Sequence, residues 1–391
     1  MTNNPGFHRR STPRTKVCFR PCAAPGKVIA SALGVLVGDE FTMRLNRRPS
    51  RPVLAFALAL AFSSAGLCRA QNLPYAPTPA PEWSPSIVKP CDRACLVGIM
   101  NGYMNAIFRH DPSLLPTLAR DVRFTENTAQ LDIGEGMLWR SKVEPTSFQI
   151  IIADPVFGQV AEQARLIIGG RQSVVAIRLK VDRGQIQQIE HLYVRGIDKA
   201  ALPLLQTPRP SLVDDVPPSE RTPRDVMIWA ANSYFDALEG DDGKIGAFAN
   251  DCVRHENGYQ TVNNPSPGGR MMPSPALPNP NTPQGRAQLK FSMLSCAQQI
   301  STKEFAFIKK IRPRRVLVVD EQKGVVASFP LFVEDGTRRG APPNSPPGMM
   351  LDMVTMETFG IRGGLIHEIE AFPFVTLPYG LGNGWTEGSG R

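Results

Sequence analysis

One heptapeptide pattern occurs twice in this chain. Asp121–Asn127 reads DVRFTEN and Asp251–Asn257 reads DCVRHEN, with Glu-Asn closing both. Sliding the chain by 130 residues extends the match backwards. VGIMNGYMNAIFRHDPSLLPTLARDVRFTEN falls on IWAANSYFDALEGDDGKIGAFANDCVRHEN, which sets Asp111 on Asp241. The match resumes at SFQIIIADPVFGQVAE and PRRVLVVDEQKGVVAS, where Asp154 and Asp320 open turns that end at Gly158 and Gly324. It resumes again at residues 184–194 (GQIQQIEHLYV) and 364–374 (GLIHEIEAFPF). The offset grows from 130 to 166 to 180, so the second unit carries 50 inserted residues. A chain that repeats a unit must find a fold that works twice, and internal repeats therefore constrain architecture before any other signal does.

Each unit opens on a helical pattern. Leu96, Ile99, Met100, Tyr103 and Ile107 recur at spacings of three and four, as do Met227, Ala230, Ala231, Tyr234 and Leu238. Thr222-Pro223-Arg224-Asp225 reads as a helix start with Thr222 as N-cap. Short second helices are expected at Pro112–Ala119 and Gly243–Ala249, then the Glu-Asn strand, then hairpins. The order of helices followed by antiparallel strands predicts an α+β class. A unit of about 110 residues is large enough to bury a core of its own. We expect a first domain at 91–200, a proline-rich, semi-extended linker at 201–222, and a second domain at 223–391. The insertions 261–285 and 334–349 read as long loops, the first a lid or dimer arm.

Helices, a strand opening D-V-x-F-x-E-N, and a sheet ending G-x-I-x-x-I-E resemble the nuclear-transport-factor-2-like superfamily over roughly 91–195 and 224–376. SnoaL-like polyketide cyclases, ketosteroid isomerases, scytalone dehydratases and limonene epoxide hydrolases share that fold. The resemblance is to tandem, exported SnoaL-like proteins. It implies two cone-shaped domains, each a bent antiparallel sheet closed over a helix around an apolar cavity. It also implies cofactor-free chemistry by a carboxylate or His in that cavity. It carries no complete catalytic set onto this chain.

The net charge of +9 suggests a polyanion partner, but its distribution argues otherwise. Residues 1–70 hold 11 of the 44 Lys and Arg and 2 of the 35 Asp and Glu, leaving 33 of each in the remainder. The folded part lacks the surplus that draws a protein to phosphate, so no nucleic-acid partner is expected. Residues 43–70 read as an export signal: basic MRLNRRPSR, the apolar run Val53–Phe62, and a small-residue cut site after Ala70. Ten apolar residues are too few to span a bilayer. Residues 1–42 read as a mis-called or disordered extension, and 71–90 as a proline-rich lead-in. A periplasmic or secreted location follows, with no membrane partner after cleavage. Export permits disulfides, and we expect Cys91–Cys95 and Cys252–Cys296. No metal site or cofactor is expected, because no CxxC pair, His cluster, Walker loop, Rossmann glycine motif, His-Glu-x-x-His or Gly-x-Ser-x-Gly is present.

Candidate chemistry centres on the repeated strands. Burial raises a carboxyl's pKa towards working pH, and Arg, Tyr or Asn then stabilises developing negative charge. In the second unit, strand alternation sends Arg254 and Glu256 to one face, His255 and Asn257 to the other. The final strand brings His367, Glu368 and Glu370. We place the base among His255, Glu256, His367 and Glu370, with Arg254, Asn257 and Tyr259 binding substrate. The first unit offers Arg123, Glu126, Asn127, Glu190 and His191, with Phe124 where the second unit has Arg254. The plainer alternative is that Glu-Asn ends the strand and caps a turn. The run Ile308–Arg315 holds five basic residues in eight and reads as a solvated edge strand.

These residues point to an exported, cofactor-independent lyase, dehydratase or isomerase that abstracts a proton from a small apolar or aromatic molecule. An epoxide or ester hydrolase in the same cavity is the first alternative. A non-catalytic protein binding a hydrophobic ligand or partner is the second. Composition leaves a homodimer open.

Overall fold

The computed structural model describes residues 91–265, 279, 281–334 and 351–385. The expected extension, export signal and lead-in lie outside them, as do most of both expected loops.

The first unit opens with α1 (Arg93–Arg109), whose Leu96, Met100, Tyr103 and Ile107 are fully buried. The Asp92 carboxylate caps it at the Cys95 N–H, and Cys95 is bonded to Cys91. The strands are β1 (Leu118–Glu126), β2 (Ala129–Leu131), β3 (Val143–Asp154), β4 (Gln159–Ile168), β5 (Arg171–Asp182) and β6 (Gln185–Arg195). A short helix, α2 (Met137–Arg140), precedes β3. The sheet order is β2-β1-β6-β5-β4-β3, antiparallel except where β1 lies parallel to β6.

The connecting segment folds against the sheets rather than spanning them. It forms a 3-10 turn at Lys199–Leu205, then α3 (Pro210–Val213), and it buries Leu205, Leu212 and Val216. The expectation of a semi-extended spacer is corrected: its leucines supply apolar surface that neither sheet covers alone.

The second unit repeats the plan. It has α4 (Arg224–Gly240), β7 (Phe248–Glu256), β8 (Tyr259–Gln260), α5 (Pro283–Ser292) and α6 (Cys296–Ser301). Strands β9 (Ile308–Ile311), β10 (Val316–Asp320), β11 (Val325–Ser328), β12 (Leu331–Glu334), β13 (Leu351–Val354), β14 (Glu357–Arg362), β15 (Leu365–Ala371) and β16 (Val375–Pro378) follow. The sheet β8-β7-β15-β14-β11-β10 matches the first strand for strand, with β7 parallel to β15. The long strands of the first unit are here broken. Pro313 separates β9 from β10 and Pro330 separates β11 from β12, because proline has no N–H to continue the ladder. The detached ends form a second sheet, β16-β13-β12-β9. The protein is thus an α+β pair of tandem cone domains.

Several local expectations fail for physical reasons. Pro112–Leu114 is a single 3-10 turn, and the segment before β7 is not helical. Thr222 does not cap α4; Pro223 occupies the N-cap, and the Thr222 hydroxyl accepts the Gly364 N–H. The helices end in left-handed caps at His110 and Asp241, so the true offset there is 131 and Asp111 pairs with Asp242. Both aspartates receive an N–H from two residues on. Strand β9 is an edge strand as expected, but Arg314 and Arg315 beyond it are largely buried and ion-paired.

The outer faces of the sheets meet. One apolar cluster lies under α1 and another under α4. A third is shared, with Phe148, Ile150 and Ile152 of β3 packed with Val318, Val325 and Ala327 of the second unit. The contact has a pseudo-twofold exchange. Arg93, the first residue of α1, grips Asp320 of the second unit at 3.0–3.2 Å. Arg224, the first residue of α4, grips Asp154 of the first. Asp320 also accepts the Ala153 N–H, and Asp154 the Val319 N–H.

Candidate functional site

In the second cone the register pairs Ile369 with Arg254 and Ala371 with both Glu256 and Glu357. Arg254, Glu256 and Glu357 therefore share the inner wall, facing α4. The Arg254 Nε lies 2.9 Å from Glu256 Oε1, and Arg254 donates to Gln299 Oε1 at 2.5 Å. It also donates to the phenolic oxygen of Tyr234 on α4. Its guanidinium lies 5.1 Å from the Phe305 ring centre. Gln299 donates to the carbonyls of Thr261 and Phe291, which turns its own oxygen towards Arg254. The Cys252–Cys296 disulfide ties α6, which carries Gln299, to β7, which carries Arg254.

Glu357 is the distinctive group on this wall. Its residue is 2% exposed, and Oε2 has no hydrogen-bond partner among the described residues. Burial pushes its carboxyl up to about 8; Arg254 opposes that rise and Glu256 adds to it. Glu357 is thus a neutral acid near pH 7, able to donate a hydrogen bond. Burial also raises the Tyr234 phenol far above its ordinary range, which keeps it protonated. Phe235 and Phe359 pack around Tyr234 with ring centres 5.3 and 5.4 Å away.

The first cone presents a different set. Glu126 pairs with His191 across β1 and β6. The Tyr103 hydroxyl lies 2.9 Å from His191 Nε2, and His191 Nδ1 lies 3.4 Å from Glu126 Oε2. Glu126 accepts the backbone N–H groups of Met137 and Leu138 at the start of α2. Trp139 packs edge-on to Tyr103. Glu162 also faces this interior, 3.0 Å from the Gln149 amide, and burial pushes its carboxyl up to about 7. Asn127 and Asn257 have φ of 44° and 48°, and Asn127 exchanges two hydrogen bonds with the Tyr193 backbone. The turn-capping alternative accounts for the repeated Asn, whereas the repeated Glu has taken different partners in the two cones.

Of the four residues among which the base was placed, Glu256 alone stands on the Arg254 wall, while His255 and Glu370 pair with each other in register. Alternation puts His255 and Glu370 on the outer face, where Arg209 of the connecting segment pairs with Glu368 and Glu370. Burial, then Arg209, pushes His255 down to about 3, so it is neutral there. In the β14–β15 pairing His367 is the extra residue of a β-bulge, and it reaches exposed Asp251 at 2.7 Å. Tyr259 points away from the Arg254 wall and donates to Asp198 at 3.2 Å. Glu190 and Arg123 are on the outer face of the first sheet. Glu190 pairs with Arg178 and with Arg315 of the second unit at 2.7–2.8 Å. Burial works against the charge of Glu190, but Arg315 and Arg178 hold it below its ordinary value. Arg123 lies over the Trp385 ring at 4.7 Å.

Sequence reasoning missed Glu357, Gln299 and the chemical use of Tyr103 and Tyr234. A signal existed for two of these. Aligning the helices by their first arginines sets Tyr103 on Tyr234, and Glu357 is the one carboxylate in the apolar run MVTMETFGI. Among the described residues, no group of three or more His, Cys, Asp or Glu is arranged to hold a metal ion. No described helix is long and apolar enough to cross a membrane. The two disulfides fit an oxidising compartment.

Residues 220–373, which enclose the second unit from α4 to β15, match a family described as a domain of unknown function (DUF8021). No curated protein matches the chain. One similar solved structure is a proposed ketosteroid isomerase from Kribbella flavida DSM 17836, at 17% identity and a TM-score of 0.24. The match covers 32% of this chain and 93% of that one. Another is AclR, a proposed hydroxylase from Streptomyces galilaeus, at 16% identity and a TM-score of 0.21. It covers 33% of this chain and 92% of that one.

Proposed function

We propose that the chain is an exported acid/base enzyme of the lyase or isomerase type, with its chemistry in the second cone. The observation that carries this reading is Glu357, a buried neutral carboxyl on the same wall as the Arg254–Glu256 ion pair. Two carboxyls in unlike surroundings, one buried without a partner for Oε2 and one paired with Arg254, divide the work of acid and base. Glu256, with a side chain 16% exposed, takes a proton from the carbon next to a substrate carbonyl. Glu357 and Tyr234 donate hydrogen bonds to the oxygen as it gains charge. Arg254 fixes the Glu256 carboxylate and is itself fixed by Gln299. Phe235 and Phe359 beside Tyr234, and Phe305 beside Arg254, make the surroundings aromatic and suit a small apolar or aromatic carbonyl compound.

Solvent-deuterium incorporation tests this directly. A panel of enolisable aryl ketones and β-hydroxy ketones is incubated with the protein in D₂O and followed by NMR. The wild type accelerates exchange, and Glu256→Gln loses about 10²–10⁴-fold of that rate. Equal rates for Glu256→Gln and wild type, with both folded, would remove Glu256 as base. No exchange across the panel would remove proton abstraction from this carbonyl class.

A further inference from the structure

A second site lies where the two units meet, away from the Arg254 wall. Lys323, in the β10–β11 turn, lines a cleft of about 240 Å³ with Arg93 and Val97 of α1, Gln149 and Ile151 of β3, and Val213 of α3. Its ammonium makes no hydrogen bond or ion pair with any described residue. Of the three carboxylates that act on it, Asp320 and Asp215 are already engaged and Asp214 is exposed. Asp320 accepts Arg93 twice over, the Ala153 N–H and the backbone N–H of Lys323 itself. Asp215 accepts the Gln322 amide at 2.6 Å. Arg93 binds Asp320 through Nε and one terminal nitrogen, which leaves its other terminal nitrogen available.

The pseudo-equivalent junction shows what packing alone requires. There the residue matching Lys323 is Phe157, and the Arg224 guanidinium lies 4.6 Å from its ring centre. The fold is thus satisfied by an aromatic at this turn. The second unit instead sets one cation beside another, over apolar Val97, Ile151 and Val213. Burial and then Arg93 push the Lys323 amine below its ordinary value; Asp320, Asp215 and Asp214 oppose this. Two cationic donors above an apolar floor are complementary to one chemical class.

We propose that this cleft binds a small carboxylate with an apolar body, its charge against Lys323 and Arg93 and its body on Val97, Ile151 and Val213. The bound carboxylate supplies the counter-charge that Asp320 cannot. Gln149, at the cleft wall, is hydrogen-bonded to Glu162 and so connects the site to the interior of the first cone.

Titration calorimetry on the whole chain with phenylacetate and hexanoate tests the proposal, with phenylacetamide and inorganic phosphate as controls. Phenylacetate binds, and Lys323→Gln weakens it about tenfold or more, because a charge-assisted hydrogen bond is lost. Phenylacetamide binds at least about tenfold more weakly than phenylacetate, for the same reason. Val213→Trp, which fills the cleft and leaves Lys323 in place, abolishes binding. Unchanged affinity in Lys323→Gln overturns the site. So does equal affinity for the amide, equal affinity for phosphate, or no binding of either carboxylate.

Discussion

Glu357 makes a stability claim as well as a catalytic one. Its carboxyl is raised from 4.5 to about 8 in the folded chain, so the folded state holds that proton more tightly than the unfolded state does. The stabilisation is complete below the unfolded value and is lost as pH rises from 4.5 to 8, where the unfolded chain ionises first. Each unit of difference corresponds to about 1.4 kcal/mol, so the contribution falls by about 3–4 kcal/mol between pH 5 and pH 8. Glu357→Gln keeps the shape and removes the titration. The assay is urea denaturation of wild type and variant at pH 5, 6, 7 and 8. The difference between the two cancels the titrating groups that do not interact with Glu357, including Glu162. Wild type should lose stability relative to the variant across the series by about that amount. A difference that stays flat with pH would mean that Glu357 titrates alike folded and unfolded, and the acid assigned to the second cone would go with it.

Removing the Cys252–Cys296 bond with a double serine variant should lower stability by about 4 kcal/mol for a 44-residue separation, measured by denaturant midpoint without reductant. The double serine variant of Cys91–Cys95, with a separation of 4, should lose about half of that. Asp154→Asn should destabilise by about 3–5 kcal/mol, because Arg224 loses its buried partner. Replacing Arg224 and Asp154 together by Met and Leu should recover part of that loss in a double-mutant cycle. Tyr103→Phe should remove about 1–3 kcal/mol by leaving His191 Nε2 without its hydroxyl, read by thermal or urea unfolding.

Duplication, helix faces, hairpins and both disulfides were legible because each depends on spacing along the chain. Leu96, Met100, Tyr103 and Ile107 declare their face by period alone. The site was less legible because it depends on which strands become neighbours. Arg254 and Glu256 share a face by simple alternation, and the sequence reveals that much. Glu357 joins them only because β14 pairs with β15 and β15 with β7, and that order is not written locally. His367 was misplaced by the opposite effect: a bulge inserts one residue and ends the alternation that reasoning relied on. Arg209 and Arg315 read as linker and edge-strand charges. They are ion pairs because a neighbouring unit covers them, and burial by a neighbour leaves no period to detect.

The reciprocal grip of Arg93 on Asp320 and of Arg224 on Asp154 binds the history of the two repeats together. A change at the start of one helix strands a carboxylate in the opposite repeat, so neither copy can drift alone. Each repeat also keeps both halves of the clasp, Arg93 with Asp154 and Arg224 with Asp320. A severed repeat would therefore meet its own likeness with the right charges in reach, and fusion into one polypeptide fixes two unlike cones face to face in a single stoichiometry.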